Sequence, residues 1–173
     1  DFVAPADGTF FIRLADFLYR GGDDYSYRLT LSTGPRVDYV LPVTAVAGAK
    51  NDLTLYGRSL PGGKPAKGVT VAGKPLEQLP VSVNLPGPRE NLLATALPSS
   101  AELDSFAYRF KGANPALVTF VASGSVMIVE QEPNSKPDQA QKITPPCEIS
   151  GQFYPAADVD RYVFSAKKGD VYW

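Results

Sequence analysis

Apolar and polar positions alternate along much of this chain. Phe10, Ile12 and Leu14 alternate with Phe11, Arg13 and Ala15, and Tyr25, Tyr27, Leu29 and Leu31 alternate with Ser26, Arg28, Thr30 and Ser32. A period of two is the repeat of a β-strand with one buried face. It predicts two strands, with Tyr25 and Tyr27 facing the core beside Leu29. Turn residues punctuate them at Asp7-Gly8, at Gly21-Gly22-Asp23-Asp24 and at Gly34-Pro35.

The same rhythm continues through the middle of the chain. Val37 to Val46 reads as extended, interrupted at Pro42, and Leu53 and Leu55 share one face of the next strand. Residues 57–68 are rich in Gly, Pro and Lys and read as a loop. Short strands are predicted at Val69–Val71 and Val81–Val83. Asn91 to Leu97 has some helical character, which Pro98 ends. Strands follow at Phe106–Phe110, Leu117–Ala122 and Ser125–Glu130, with Gly124 turning between the last two. Residues 131–141 are polar and read as a linker or extended lead-in. Further strands are predicted at Cys147–Gln152, Asp160–Ser165 and Asp170–Trp173, with Lys168-Gly169 as a tight turn. Many short strands with turn residues between them predict an all-β protein, a sandwich or a barrel.

Composition narrows the function. A net charge of −1, from 17 basic and 18 acidic side chains, gives no global field to gather nucleic acid. No apolar run approaches the ~20 residues that span a bilayer as a helix. Cys147 is the only cysteine, so no internal disulfide forms. Histidine is absent, which removes the commonest general base and every Ser-His-Asp or Cys-His arrangement. The expectation is a non-catalytic protein.

Particular strings point to a family. Glu132-Pro133-Asn134, Ala140-Gln141-Lys142-Ile143, Cys147-Glu148-Ile149-Ser150-Gly151 and the run from Asp158 to Asp170 resemble the opening of the bacterial pre-peptidase C-terminal (PPC) domain. Ala4-Pro5-Ala6-Asp7-Gly8-Thr9-Phe10, with Tyr19 to Leu31, resembles its closing strands. Between them, Val46, Gly48 and Leu53-Thr54-Leu55-Tyr56-Gly57-Arg58-Ser59-Leu60-Pro61-Gly62 resemble the start of an immunoglobulin-like IPT/TIG module. The resemblance implies four segments. Residues 1–36 would end one jelly-roll-like PPC domain, 37–130 would form an Ig-like sandwich, 131–141 a linker, and 142–173 would begin a second PPC domain. It further implies sandwich modules of a large secreted or surface-attached bacterial protein, whose signal peptide lies upstream. Some relatives bind matrix polymers, and some of those use calcium.

Both ends are then expected to lie inside a repeated domain. Head strands (143–173) and tail strands (9–32) of one domain type are complementary. They are expected to pair within the chain, or between chains as a swapped dimer or filament.

Several residue groups are candidate sites. Asp158 and Asp160 are expected on one face of a strand, with Glu132 and Asn134 upstream, and such clustered oxygens suit Ca²⁺. The competing reading is that they cap backbone N–H groups, and no EF-hand spacing is present. Asp23-Asp24 reads as a turn before it reads as a cation site. Glu102 and Asp104 are a candidate hydrolase pair, but lie too close in sequence for the usual two-carboxylate geometry. Lys64, Lys67 and Lys74 lack the interleaved aromatics of a single-strand platform, and Gly62-Gly63-Lys64 lacks phosphate-loop spacing. Tyr19, Tyr25, Tyr27, Tyr39 and Tyr56 are candidates for stacking on sugar rings. The expected role is a structural or adhesive spacer that contacts other domains of its parent chain, a polysaccharide or matrix polymer. The alternatives are a calcium-dependent carbohydrate-binding module and a carboxylate-based hydrolase.

Overall fold

The structure, a computed structural model, describes residues 2–87, 105–121 and 124–173. The chain divides into two compact units, Asp1–Thr33 and Gly34–Trp173. The sequence-predicted helical stretch at Asn91–Leu97 lies outside the described residues.

The second unit is an all-β, sandwich-type fold. One sheet has four strands: β1 (Arg36–Leu41), β3 (Lys50–Arg58), β4 (Lys64–Val71) and β5 (Lys74–Asn84), in the order β1-β3-β5-β4. Its pairings are all antiparallel. A second sheet joins β2 (Thr44–Ala45), β7 (Pro115–Phe120) and β6 (Ser105–Arg109) in that order. Alternation works here as the sequence predicts. In β3, Asn51, Leu53, Leu55 and Gly57 are buried, while Asp52, Thr54, Tyr56 and Arg58 point away. Leu53 and Leu55 join Val37, Val40, Leu60, Leu85, Phe110, Val118 and Phe120 in one core. Each buried leucine contributes about 1.5–3 kcal/mol over exposure.

Two polar details fix the geometry of this core. Asn114 imitates a strand neighbour, accepting from Val37 N at 2.9 Å and donating to Val37 O at 2.7 Å. Gly57 lies so close to β1 that an added Cβ would strike the Arg36 carbonyl. Its φ is not left-handed, so close approach, not conformation, requires glycine there. One residue along, β1 shifts register between Val37 and Tyr39. At that irregularity the buried Asp38 carboxylate meets Arg36 Nε at 3.2 Å and Arg58 Nη1 at 3.4 Å.

The C-terminal part adds two small parallel sheets. β10 (Cys147–Ser150) pairs with β8 (Val126–Val129), and β11 (Tyr162–Val163) pairs with β9 (Gln141–Lys142). The 131–141 stretch is held in place. Gln141 accepts from Gln131 N through Oε1 and donates to Val129 O through Nε2. A single 3₁₀ turn, Pro137–Gln139, lies within it. Strand β10 and the segment after it also reach the sandwich, where Val43 N donates to Ser150 Oγ at 2.8 Å and Tyr154 Oη donates to Gly68 O.

Four local expectations are corrected. Residues 64–68, read as loop, form the start of β4, because an edge strand needs only one neighbour and tolerates Pro65 and Gly68 beside a register shift. In the first unit, residues 9–15 and 25–32 carry no strand assignment. Alternation supplies a face, but a strand exists only where a neighbour accepts its hydrogen bonds. Tyr25 and Tyr27 are accordingly exposed, Tyr27 at 78%. Asp170–Trp173 is likewise not a strand, although the turn at Lys168-Gly169 forms, with Asp170 N donating to Lys167 O. Asp158 and Asp160 precede β11 instead of lying along one strand face.

Candidate functional site

Carboxylates converge where β8, the 131–141 stretch and the approach to β11 meet. Glu130 follows β8 directly, Glu132 and Asn134 come two and four residues later, and Asp160 arrives from the turn before β11. One carboxylate oxygen from each of Glu130, Glu132 and Asp160 lies within 4.8 Å of the others.

Asn134 sits at the centre and is fully buried, at 0% exposure. Its backbone N–H donates to Glu132 Oε2, and its Nδ2 donates to Glu130 Oε1, each at 2.9 Å. The amide oxygen Oδ1 has no partner, and neither has Asp160 Oδ1; both atoms are buried. Desolvating a polar oxygen without a partner costs about 1–3 kcal/mol. An orphaned amide oxygen with three carboxylates, one of them carrying the other orphaned oxygen, makes a site short of positive charge.

Glu130 is fixed on both oxygens. Oε2 accepts from Gln152 N at 2.6 Å, and Oε1 lies 3.4 Å from Tyr162 Oη. Burial would raise its pKa, but the hydrogen bonds from Gln152 N–H, Asp160 and Asn134 outweigh that and hold it below the ordinary value. Asp160 goes the other way. Burial, the hydrogen bond with Glu130 and the charges of Glu130 and Asp158 push it up to about 6. Burial and the charges of Glu130 and Asp160 likewise raise Tyr162 to about 12. The two carboxylates are thus shifted in opposite directions, as close like charges require. A bound cation would relieve their repulsion.

Of the four residues read from the sequence as metal ligands, Glu132, Asn134 and Asp160 are brought together. Asp158 is drawn into the neighbouring turn. Its Oδ1 accepts from Ser135 Oγ and Val159 N, its Oδ2 accepts from Tyr154 N, and its own N–H donates to Pro155 O. It shapes the loop that delivers Asp160. Glu130 was missed. The signal was present: Glu130, Glu132 and Asn134 recur at every second residue of an extended segment, which places them on one side.

The other candidates are quickly placed. Tyr39 and Tyr56 stack on each other, centroids 4.7 Å apart at 11°, so one face of each ring is already used. Asp23 and Asp24 lie in an exposed turn, with Tyr25 N donating to Gly22 O. Glu102 and Asp104 lie outside the described residues. A shallow cleft of ≈ 240 Å³ over Pro42, Thr54 and Pro80 holds the Ser82–Asp52 hydrogen bond. Among the described residues no helix is long and apolar enough to cross a membrane.

No protein-family model, curated protein or solved structure matches this chain.

Proposed function

We propose that this chain is a non-catalytic spacer of a larger secreted or surface-attached bacterial protein, stapled by a calcium ion at Glu130, Glu132, Asn134 and Asp160. The observation that carries the calcium reading is the fully buried Asn134, whose Oδ1 lacks a partner next to three carboxylates within 4.8 Å. Every donor is a hard oxygen, and no imidazole or thiolate is among them. That donor set suits Ca²⁺, which takes six to eight oxygens in flexible geometry and completes its shell with water.

The ion's role is structural. It would tie the segment after β8 to the turn before β11, two places 30 residues apart in sequence, taking Glu130 and Asp160 as its outermost ligands. The spacer reading draws further support from the all-β architecture and from the lack of histidine. The test is thermal melting of the whole chain in calcium and in chelator. Binding to the native state alone raises the melting temperature with ligand concentration. Identical melts in millimolar calcium and in chelator would sink the calcium reading.

An adhesive role is favoured by a separate observation. Phe11 and Phe17 are exposed at 96% and 93%. Two aromatic side chains held out in water are available to a partner. The partner would be a polysaccharide, a matrix polymer or a second copy of the chain exchanging strands. Retention on immobilised polysaccharide or matrix protein, compared with self-association in sedimentation, separates these.

A further inference from the structure

Gly151 directly follows β10 and faces Glu130. An added Cβ there would lie 2.7 Å from Glu130 Oε2 and 3.0 Å from its carboxyl carbon. Its backbone does not adopt the left-handed φ that favours glycine. Conformation therefore does not explain the residue, and space does. The missing side chain lets the Glu130 carboxylate lie against β10 and accept from the next N–H, that of Gln152, at 2.6 Å. With Oε2 anchored to backbone, Oε1 is left to Asn134 Nδ2 and Tyr162 Oη.

Given the calcium reading above, we infer that Gly151 is a positioning residue of the cation site: it clears the berth in which the Gln152 N–H locks Glu130 as a ligand presenting a single oxygen. A side chain here displaces the Glu130 carboxylate. That carboxylate is the far end of a flexible side chain and swings aside, giving up the Gln152 N–H, while the Glu130 Cβ, 3.2 Å from the added atom, gives by a few tenths of an ångström. The larger consequence falls on the cation, because a ligand that must be drawn back for each binding event is no longer preorganised.

The test is a calcium titration by calorimetry on the whole chain, paired with melting in chelator. Gly151→Ala is expected to weaken calcium binding on the order of 10- to 100-fold, as losses of supporting groups around metal ligands do, while the melting temperature in chelator stays near that of the unchanged protein. Glu130→Ala removes the carboxylate that meets the new Cβ and keeps only the residue's own Cβ beside it. In that background, adding Gly151→Ala is expected to change calcium affinity no further, because the glycine acts only through Glu130. Equal affinities of Gly151→Ala and the unchanged chain overturn the inference. So does a double variant that binds more weakly than Glu130→Ala alone. Failure of the unchanged chain to bind calcium is a distinct result: it removes the cation reading itself, and this role with it.

Discussion

Asn134 donates its Nδ2 hydrogen to Glu130 Oε1 at 2.9 Å and leaves its own Oδ1 buried without a partner. An amide carries a donor and an acceptor, and only the donor has been given work. Replacing Asn134 by Ala removes both. In calcium, Asn134→Ala is expected to lose most of the calcium-dependent rise in melting temperature. In chelator it is expected to cost less, since the unpartnered oxygen disappears with the lost hydrogen bond. Melting curves in the two conditions check both halves.

Asp160 gives the cation-free protein a defined pH dependence. Its folded pKa, about 6, lies above the ordinary carboxylate value. Between those values the folded state binds more protons than the unfolded one, so this group's contribution to stability falls as pH rises from about 4 to 6. Glu130, held low, contributes in the opposite sense, with stability present above its ordinary value and lost as pH falls through its folded pKa. Asp160→Asn in chelator is therefore expected to melt a few degrees higher than the unchanged chain at pH 7.5, and with no such advantage at pH 4.

Asp158 and Asp160 are two residues apart and are expected to respond differently. Asp158 satisfies three donors around its own turn. Asp158→Asn keeps one acceptor oxygen and is expected to weaken calcium binding less than Asp160→Asn, which removes charge from the cluster itself. Calcium titration of the two variants side by side checks the order.

Gly57 is the severe position of the sandwich. Its would-be Cβ meets the backbone carbonyl of Arg36, which cannot swing away. Gly57→Ala is expected to destabilise by about 1–3 kcal/mol through overpacking, and Leu55→Ala by about 2–5 kcal/mol through loss of buried volume. Denaturant unfolding measures both, and Leu55 is fully buried in the same strand.

Phe11 and Phe17 are the pair to change if the first unit associates through its aromatic surface. The double change to Ser is expected to reduce concentration-dependent self-association in sedimentation. It is also expected to leave the calcium response untouched, since the acidic cluster belongs to the other unit.

The β3 face was legible in the sequence because a strand with two neighbours and one core shows its alternation undiluted: Leu53 and Leu55 inward, Thr54 and Tyr56 outward. The same alternation at Phe10–Ala15 and Tyr25–Ser32 misled, since periodicity encodes a face and says nothing of a neighbour to pair with. The end of β4 was legible at Val69–Val71, but its start was hidden by Pro65 and Gly68, residues an edge strand accepts. At the site, Glu132, Asn134 and Asp160 were legible as a cluster of oxygens. Glu130 was not, because it falls at the end of a strand whose apolar pattern drew the reading. The orphaned oxygens of Asn134 and Asp160 and the space at Gly151 are properties of three dimensions alone.

The parallel pairing of β8 with β10 has a mechanical consequence. Pulling on the chain before β8 and after β10 draws the two strands past each other along their length. Their evenly spaced hydrogen bonds then carry the load together, where a hairpin pulled from its open end would yield one bond at a time. The Glu130–Gln152 hydrogen bond sits at the C-terminal end of that ladder, so an ion held by Glu130 would act as a latch on the joint under tension.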